Sequence, residues 1–520
     1  MIYIGIDVGG TFTDFVVEKE GEPPLYFKTA STPGDQSMGV MQGLEDVADS
    51  LGFSVSTLLD KTSLIIHGTT VATNTLIEKK GAKVGLITTE GFRDLLEIRE
   101  GFKEDRYNLR MDPVDPLVPR YLRHAVDERV RRSGEIQTPI DEAELERVVD
   151  TLIGEGVTSI AVCFIFSYLN PSHESVVSDL IEKKCPGIYH TSSYHVLPQI
   201  KEYDRLSTTV VNAYVGPVYS RYLSHMKTQF EDKGFDKEIL TMKSNGGVSA
   251  IEDATQMAVH AILSGPAGGV AGAAAYGRMV GEENLFGFDM GGTSTDISLI
   301  ERGDPHITTD RYEAGWKIAA PMIDIHTLGA GGGSVGYVDD GGTLHVGPQS
   351  AGATPGPASY GLGGTDPTVT DANVVLGFLS PNNFLGGRKV LESSLAEQAI
   401  QDRIATPLGL PMDAAAYGMV QVVNTTMAEG IRLLSVRRGV DPRKFALLAF
   451  GGAAGLHVCQ VARHLQIRKV FLPAPAPVLS AFGLLKTDLK YDYSKSCISS
   501  LDRVDLDQVR RITQEMAEEG

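Results

Sequence analysis

The chain has 520 residues and a formal net charge of −19, a length that exceeds one hydrophobic core and predicts about two to four domains. An acidic surface repels phosphate backbones, which excludes nucleic acid as an expected partner, and no stretch reaches the ~18–20 apolar residues of a membrane span. Cys163, Cys185, Cys459 and Cys497 stand far apart without a CxxC pair, the pattern of reduced thiols in a cytoplasmic protein rather than of a disulfide frame or metal knuckle.

Ile2 to Val8 and Asp14 to Lys19 read as two strands joined by a Gly-Gly turn. A chain that opens on a strand is not expected to carry a signal peptide. Leu64 to Ile66 and Lys83 to Thr88 read as short buried strands, with a helix over Val71 to Lys79 between them. The basic cluster Arg129 to Arg132 reads as a solvated helix face. Asp141 to Glu155 has apolar residues at helical spacing, and Thr158 to Phe166 is a buried β run. Tyr203 to Asp232 predicts a helix pair or one bent helix, interrupted near Gly216-Pro217. Residues 329–367, rich in Gly, Pro and Ser, predict ordered loop with short strands. Helices follow, then strands at Phe445 to Phe450 and Val470 to Leu472. Such alternation argues an α/β fold.

An internal repeat dominates the reading. Asp7-Val8-Gly9-Gly10-Thr11-Phe12-Thr13-Asp14 returns as Asp289-Met290-Gly291-Gly292-Thr293-Ser294-Thr295-Asp296, identical at all but the second and sixth positions. Each copy follows one apolar strand and precedes another. Adjacent glycines let the turn aim backbone N–H groups at phosphate oxygens, and the threonine hydroxyls add donors. An aspartate ending the first strand can hold magnesium, usually through water. Two such hairpins would grip one polyphosphate from both sides.

These residues resemble the actin, heat-shock chaperone and sugar kinase superfamily. Ser264-Gly265-Pro266-Ala267-Gly268-Gly269 and the small residues up to Gly277 resemble its first interlobe connecting helix. Ala449-Phe450-Gly451-Gly452-Ala453-Ala454-Gly455 resembles its adenosine motif, and Val478 to Leu485 its second connecting helix. Within the superfamily, His67-Gly68-Thr69-Thr70, Lys243-Ser244-Asn245-Gly246-Gly247, Ile325-His326-Thr327-Leu328-Gly329-Ala330-Gly331-Gly332-Gly333-Ser334 and Thr368-Val369-Thr370-Asp371-Ala372-Asn373 resemble the hydantoinase A/oxoprolinase family. The likeness runs from about residue 2 to about residue 490. Ser359 stands where many members carry Cys.

The resemblance implies a two-lobed actin-like ATPase (ribonuclease H-like) fold with duplicated phosphate-binding hairpins and an interlobe cleft. Its expected parts are an N-terminal lobe over residues 1–200, a second lobe over 201–490, and at 491–520 the start of a C-terminal extension that reads as cut short. It also implies ATP and Mg2+, with Asp7 and Asp289 as metal-holding and catalytic groups. Gly9, Gly10, Thr11, Thr13, Gly291, Gly292 and Thr293 would meet the phosphates, and Gly451 and Gly452 would pass under the adenosine. His67 ends a buried strand before a helix start and is the further catalytic candidate; a buried, satisfied histidine is the alternative. Asp324 and His326 could meet substrate or metal. Glu202, Arg205 and Asn212 share a helix face, the first two open to an ion pair, and Asp371 reads as a helix N-cap.

Members of the family use ATP to activate an inert carbonyl. The expected reaction is opening of a cyclic amide, of the hydantoin, N-methylhydantoin or 5-oxoproline type, through phosphorylation of its carbonyl oxygen. The alternatives are the ATP-binding subunit of an acetone- or acetophenone-type ketone carboxylase and a non-catalytic nucleotide switch. A hydantoinase B-type partner subunit and an oligomeric assembly are expected with either enzyme.

Overall fold

The computed structural model describes residues 1–32, 35–101, 107–384, 387 and 389–520. The fold is mixed α/β, and the chain divides into two compact units. Neither unit is a continuous stretch. The first comprises Met1–Phe53, Gly265–Ile307 and Ile323–Thr487, the second Ser54–Ser264, Thr308–Met322 and Asp488–Gly520. The units therefore interleave along the chain instead of meeting at residue 200.

In the first unit, strand Ile2–Val8 pairs antiparallel with Phe12–Lys19, which pairs with Leu25–Ala30. A second sheet is centred on Leu285–Met290, antiparallel to Thr295–Glu301 and parallel to Ala446–Phe450, which is itself parallel to Val470–Phe471. Ile325–Leu328 extends it beyond Thr295–Glu301. Phe286, Phe288, Ile297, Leu299, Leu447 and Ala449 bury one side of this sheet against Val423, Met427 and Ile431 of helix Met412–Arg438. Burial of such side chains, at ~25 cal/mol per Å², is the main stabilising term.

The small residues of helix Ser264–Val280 permit a close crossing with helix Leu479–Leu484. A Cβ on Gly272 would stand 2.7 Å from the Leu479 carbonyl oxygen, and one on Gly483 would overlap the Gly268 carbonyl. A Cβ on Gly5 would overlap the Ala481 carbonyl, so strand Ile2–Val8 packs directly on the same short helix. The small-residue pattern predicted this approach.

The second unit holds a four-stranded parallel sheet, in the order Tyr189–Ser192, Ser159–Cys163, Val84–Thr89, Arg123–Val126. The β run predicted to Phe166 stops at Cys163, and Phe166 turns the chain with a φ of 58°. Thr62–Thr69 pairs in parallel with Ile239–Met242, which is antiparallel to Val248–Ala250. Helix Glu202–Asp232 runs unbroken through Pro217. The predicted interruption is absent because tertiary packing holds the turn: Gly216 lies against the Tyr189 ring, where a Cβ would clash. Arg129–Val130 is a short strand, so the basic cluster is not a helix face. Tyr189 and His190 of the sheet, with Lys243, His260 and Tyr491, line an open cavity of about 2150 Å³ in this unit.

Among the described residues no helix is long and apolar enough to cross a membrane. The four cysteines are free.

Candidate active site

Both copies of the repeat fold as β-hairpins, and both lie in the first unit. Their registers coincide: Asp7 faces Asp14 across the first, and Asp289 faces Asp296 across the second. Each turn closes with the same bond. The Gly9 N–H donates to the Phe12 carbonyl at 2.9 Å, and the Gly291 N–H donates to the Ser294 carbonyl at 3.1 Å. Burial repeats as well, with Gly10, Thr11, Gly292 and Thr293 exposed at the tips and Thr13 and Thr295 fully buried beneath them.

The buried threonines brace their hairpins instead of reaching the tips. Thr13 Oγ1 lies 3.0 Å from Ser31 Oγ, and Thr295 Oγ1 donates to the Ala330 carbonyl at 2.5 Å. The turn carbonyls are held from behind by different means. In the first hairpin Ser31 does it alone, its hydroxyl donating to the Gly9 carbonyl at 2.7 Å and its N–H to the Thr11 carbonyl at 3.0 Å. In the second, the Gly332 and Gly333 N–H groups donate to the Gly291 and Gly292 carbonyls at 3.0 and 2.6 Å. This explains the glycine run. A Cβ on Gly331 would stand 2.7 Å from the Ser294 nitrogen, so only glycine fits against the hairpin.

Four carboxylates and one lysine set the electrostatics. Burial first, and then the charge of Asp14, push the Asp7 carboxyl up to about 7, against a smaller pull from Lys28. Burial first, and then the charges of Asp296, Asp7 and Asp14, push Asp289 up to about 8. The Asp7 charge thus acts on Asp289, and the two hairpins share one electrostatic site. Lys28 pairs with Asp14 at 2.5 Å and also donates to the Pro477 carbonyl. Asp296 accepts from Thr327 Oγ1 at 2.6 Å. The buried Oδ1 of Asp7 has no hydrogen-bond partner. Among the described residues no three His, Cys, Asp or Glu side chains form a metal-binding cluster, so the unpartnered Asp7 oxygen suits a hard divalent cation only where water and phosphate oxygens fill the rest of its shell.

Gly451, with a φ of 81°, passes so close to Asp289 that a Cβ would overlap its Oδ1. Its N–H donates to the Ala476 carbonyl, and the Ala453 N–H to the Met290 carbonyl. Exposed Gly452 follows, at the start of helix Ala454–Leu465. The predicted adenosine loop is therefore tied to the end of the strand that carries Asp289.

His67 lies in the second unit, at the end of strand Thr62–Thr69 and opposite Thr241. It is 1% exposed, its Nε2 is 3.0 Å from Tyr222 Oη, and its Nδ1 has no partner. Burial lowers its pKa to about 3, so the ring is neutral at physiological pH. The other candidates have structural partners. Asp324 pairs with Arg438. His326 sits within the sheet opposite Ile297. Arg205 donates to the Gln199 and Phe164 carbonyls and to Ser193 Oγ, rather than to Glu202, and Asn212 Nδ2 donates to the Gln256 carbonyl.

Asp371 is not the N-cap of its helix. Thr368 caps helix Val369–Val375, and Asp371 is the third helical residue of a capping box. Its carboxylate also accepts from the Ala358 and Ser359 N–H groups. Sequence reasoning missed Ser31 and Lys28, which carry no motif of their own and reach the hairpin only through sheet pairing.

The hydantoinase/oxoprolinase family model matches residues 205–493, and the model of the family's N-terminal region matches residues 3–185. Caprolactamase subunit alpha of Pseudomonas jessenii is 42% identical over 99% of this chain and 75% of its own length. The crystal structure of the ATP-dependent caprolactamase from that organism superposes with a TM-score of 0.89 at 41% identity, covering 100% of this chain and 76% of that one. Nucleotide-free acetone carboxylase superposes with a TM-score of 0.81 at 31% identity, over 94% of this chain and 71% of that one. 5-Oxoprolinase 1 of Arabidopsis thaliana is 33% identical over 99% of this chain, which spans 44% of that relative's length.

Proposed function

Since the chain belongs to the hydantoinase/oxoprolinase family, we propose that it is the ATP-binding subunit of an amidohydrolase that opens a cyclic amide. The substrate is of the lactam, hydantoin, N-methylhydantoin or 5-oxoproline type. The observation that carries this reading is the pair of hairpins in one unit, matched in register and burial, with Asp7 acting electrostatically on Asp289. We take the fold to be the two-lobed actin-like ATPase (ribonuclease H-like) fold, its nucleotide gripped by the two hairpins. The boundaries at residues 200 and 490 then mark sequence segments of the family rather than folded bodies.

In this reading the N–H groups and hydroxyls at the tips, from Gly9, Gly10 and Thr11 and from Gly291, Gly292 and Thr293, bind the β- and γ-phosphates. Thr13 and Thr295 keep the tips in place. Gly451 and Gly452 pass under the adenosine. Asp7 and Asp289 would hold magnesium, and that ion would neutralise charge on the transferring phosphoryl group. ATP is a substrate: its γ-phosphoryl group goes to the amide oxygen and makes the ring carbon open to water. Ring C–N cleavage then yields the ring-opened acid, an amino acid from a lactam and an N-carbamoyl amino acid from a hydantoin, with ADP and phosphate. The chain's contribution is positioning and charge neutralisation. Neutral His67, with one ring nitrogen unpartnered, is the further catalytic group in this reading.

A hydantoinase B-type subunit is the proposed partner, in a cytoplasmic oligomer. The likeness to acetone carboxylase favours one second reading, the ATP-binding subunit of a ketone carboxylase. The test is phosphate release with magnesium, with and without the partner, across caprolactam, 5-oxoproline, hydantoins, and ketones with bicarbonate. Release stimulated by a cyclic amide and lost in Asp7→Ala and Asp289→Ala is the expected result. Stimulation by ketone and bicarbonate alone selects the carboxylase. Tight nucleotide binding that no substrate stimulates would turn the reading to a nucleotide switch.

A further inference from the structure

The second hairpin is backed by a relay of peptide planes. Thr370 directs two donors at one acceptor: its N–H and its hydroxyl meet the Gly332 carbonyl at 2.7 and 2.9 Å. That carbonyl belongs to the same planar peptide as the Gly333 N–H, which donates to the Gly292 carbonyl. The Gly292 carbonyl in turn shares its plane with the Thr293 N–H. In a trans peptide the C=O and N–H point in opposite directions. Fixing the Gly332 oxygen therefore fixes the Gly333 N–H, which fixes the Gly292 oxygen and leaves the Thr293 N–H pointing outward at the exposed tip.

Thr370 is itself held. It is 8% exposed and sits in the first turn of helix Val369–Val375, between Thr368 and Asp371 of the capping box. We propose that Thr370 is a positioning residue for the second hairpin, orienting the Thr293 N–H through the Gly332–Gly333 and Gly292–Thr293 peptides. Its function rests on the reading of that tip as a phosphate grip. Ser31 serves the first hairpin through its own hydroxyl and N–H, whereas the second grip is coupled to residues 350–371. The Ala351 N–H adds to that coupling by donating to the Gly333 carbonyl at 2.9 Å.

The test separates geometry from catalysis. Thr370→Val keeps shape and backbone N–H but loses the hydroxyl, whereas Thr370→Ser keeps the hydroxyl. In the nucleotide-free chain, amide hydrogen exchange of a peptide spanning residues 285–296 should be faster in T370V and normal in T370S. With partner and substrate, T370V should raise KM for ATP about 3- to 10-fold and leave KM for the cyclic amide unchanged, with T370S near wild type. If T370V is too poorly folded to assay, Gly333→Ala probes the same link, since its Cβ would press on the Gly292 oxygen at 3.0 Å. Unchanged exchange of residues 285–296 in T370V or G333A overturns the proposal, whatever the nucleotide result. Equal effects on both KM values overturn it too, as they mark a merely structural residue. A wild-type chain that binds no nucleotide refutes the proposed function instead, and leaves the exchange result to judge Thr370.

Discussion

Asp7 and Asp289 keep protons at pH values where an unfolded chain has lost them. Their carboxyls are raised to about 7 and about 8 from 3.8, so between those limits the folded state binds more protons than the unfolded one. Stability of the free chain then falls as pH rises from 4 to 8. Thermal unfolding across that range should show the decline, and Asp7→Asn or Asp289→Asn should flatten it. A cation held by both groups reverses the balance, because it favours the ionised forms. Titration calorimetry of magnesium with a non-hydrolysable ATP analogue near pH 7, in buffers of different ionisation heat, should register proton release. The asparagine variants should reduce it, and an absence of release would count against these residues as the metal site. Gly451→Ala places a methyl on Asp289 at a φ of 81°, and nucleotide affinity should fall at least roughly tenfold. Ser359 has a fully buried hydroxyl with no partner. Ser359→Cys, which exchanges it for a weakly polar thiol, should stabilise the chain by about 1 kcal/mol in denaturant unfolding.

At the scale of elements, close glycine contacts define what can change. Gly483→Ala would drive a methyl into the Gly268 carbonyl. It should destabilise by about 1–3 kcal/mol, whereas Gly455→Ala, with only the Leu472 side chain 3.5 Å away, should cost little. Unfolding midpoints of the two variants test the difference. The sequence made the hairpins legible because their signal is local: a turn, its flanking strands and a second copy. The small-residue crossing was legible for a related reason, since only close backbone approach requires so many glycines in a helix. What stayed hidden depends on partners remote in sequence. Thr370 meets Gly332 only through the fold, and Arg205 satisfies carbonyls on other segments instead of the acid one turn away. Asp371 was read as a cap because a capping box places a capping-type residue at both ends of its reciprocal bonds.

For the whole molecule, the site candidates divide unevenly between the units. The hairpins and the Gly451 loop all belong to the first, and His67 belongs to the second. Nucleotide should therefore protect amides within 1–53, 265–307 and 323–487 from exchange, by an amount that grows with ligand concentration. Exchange mapped with an ATP analogue alone checks this. Protection that extends to residues 62–77 without substrate would show that nucleotide binding alone also orders the His67 region.

The interleaving also has a consequence for synthesis. Strand Ile2–Val8 leaves the ribosome well before Ala481, on which Gly5 packs. At roughly 5–20 residues per second, the first hairpin waits roughly half a minute to a minute and a half for the helix that covers one of its faces. During that interval the face that carries Gly5 and its cross-strand neighbour Val16, buried in the finished fold, must be shielded by transient contacts or by a chaperone. Nascent chains arrested before residue 479 should accordingly leave the N-terminal hairpin open to protease, and chains released beyond residue 487 should close it.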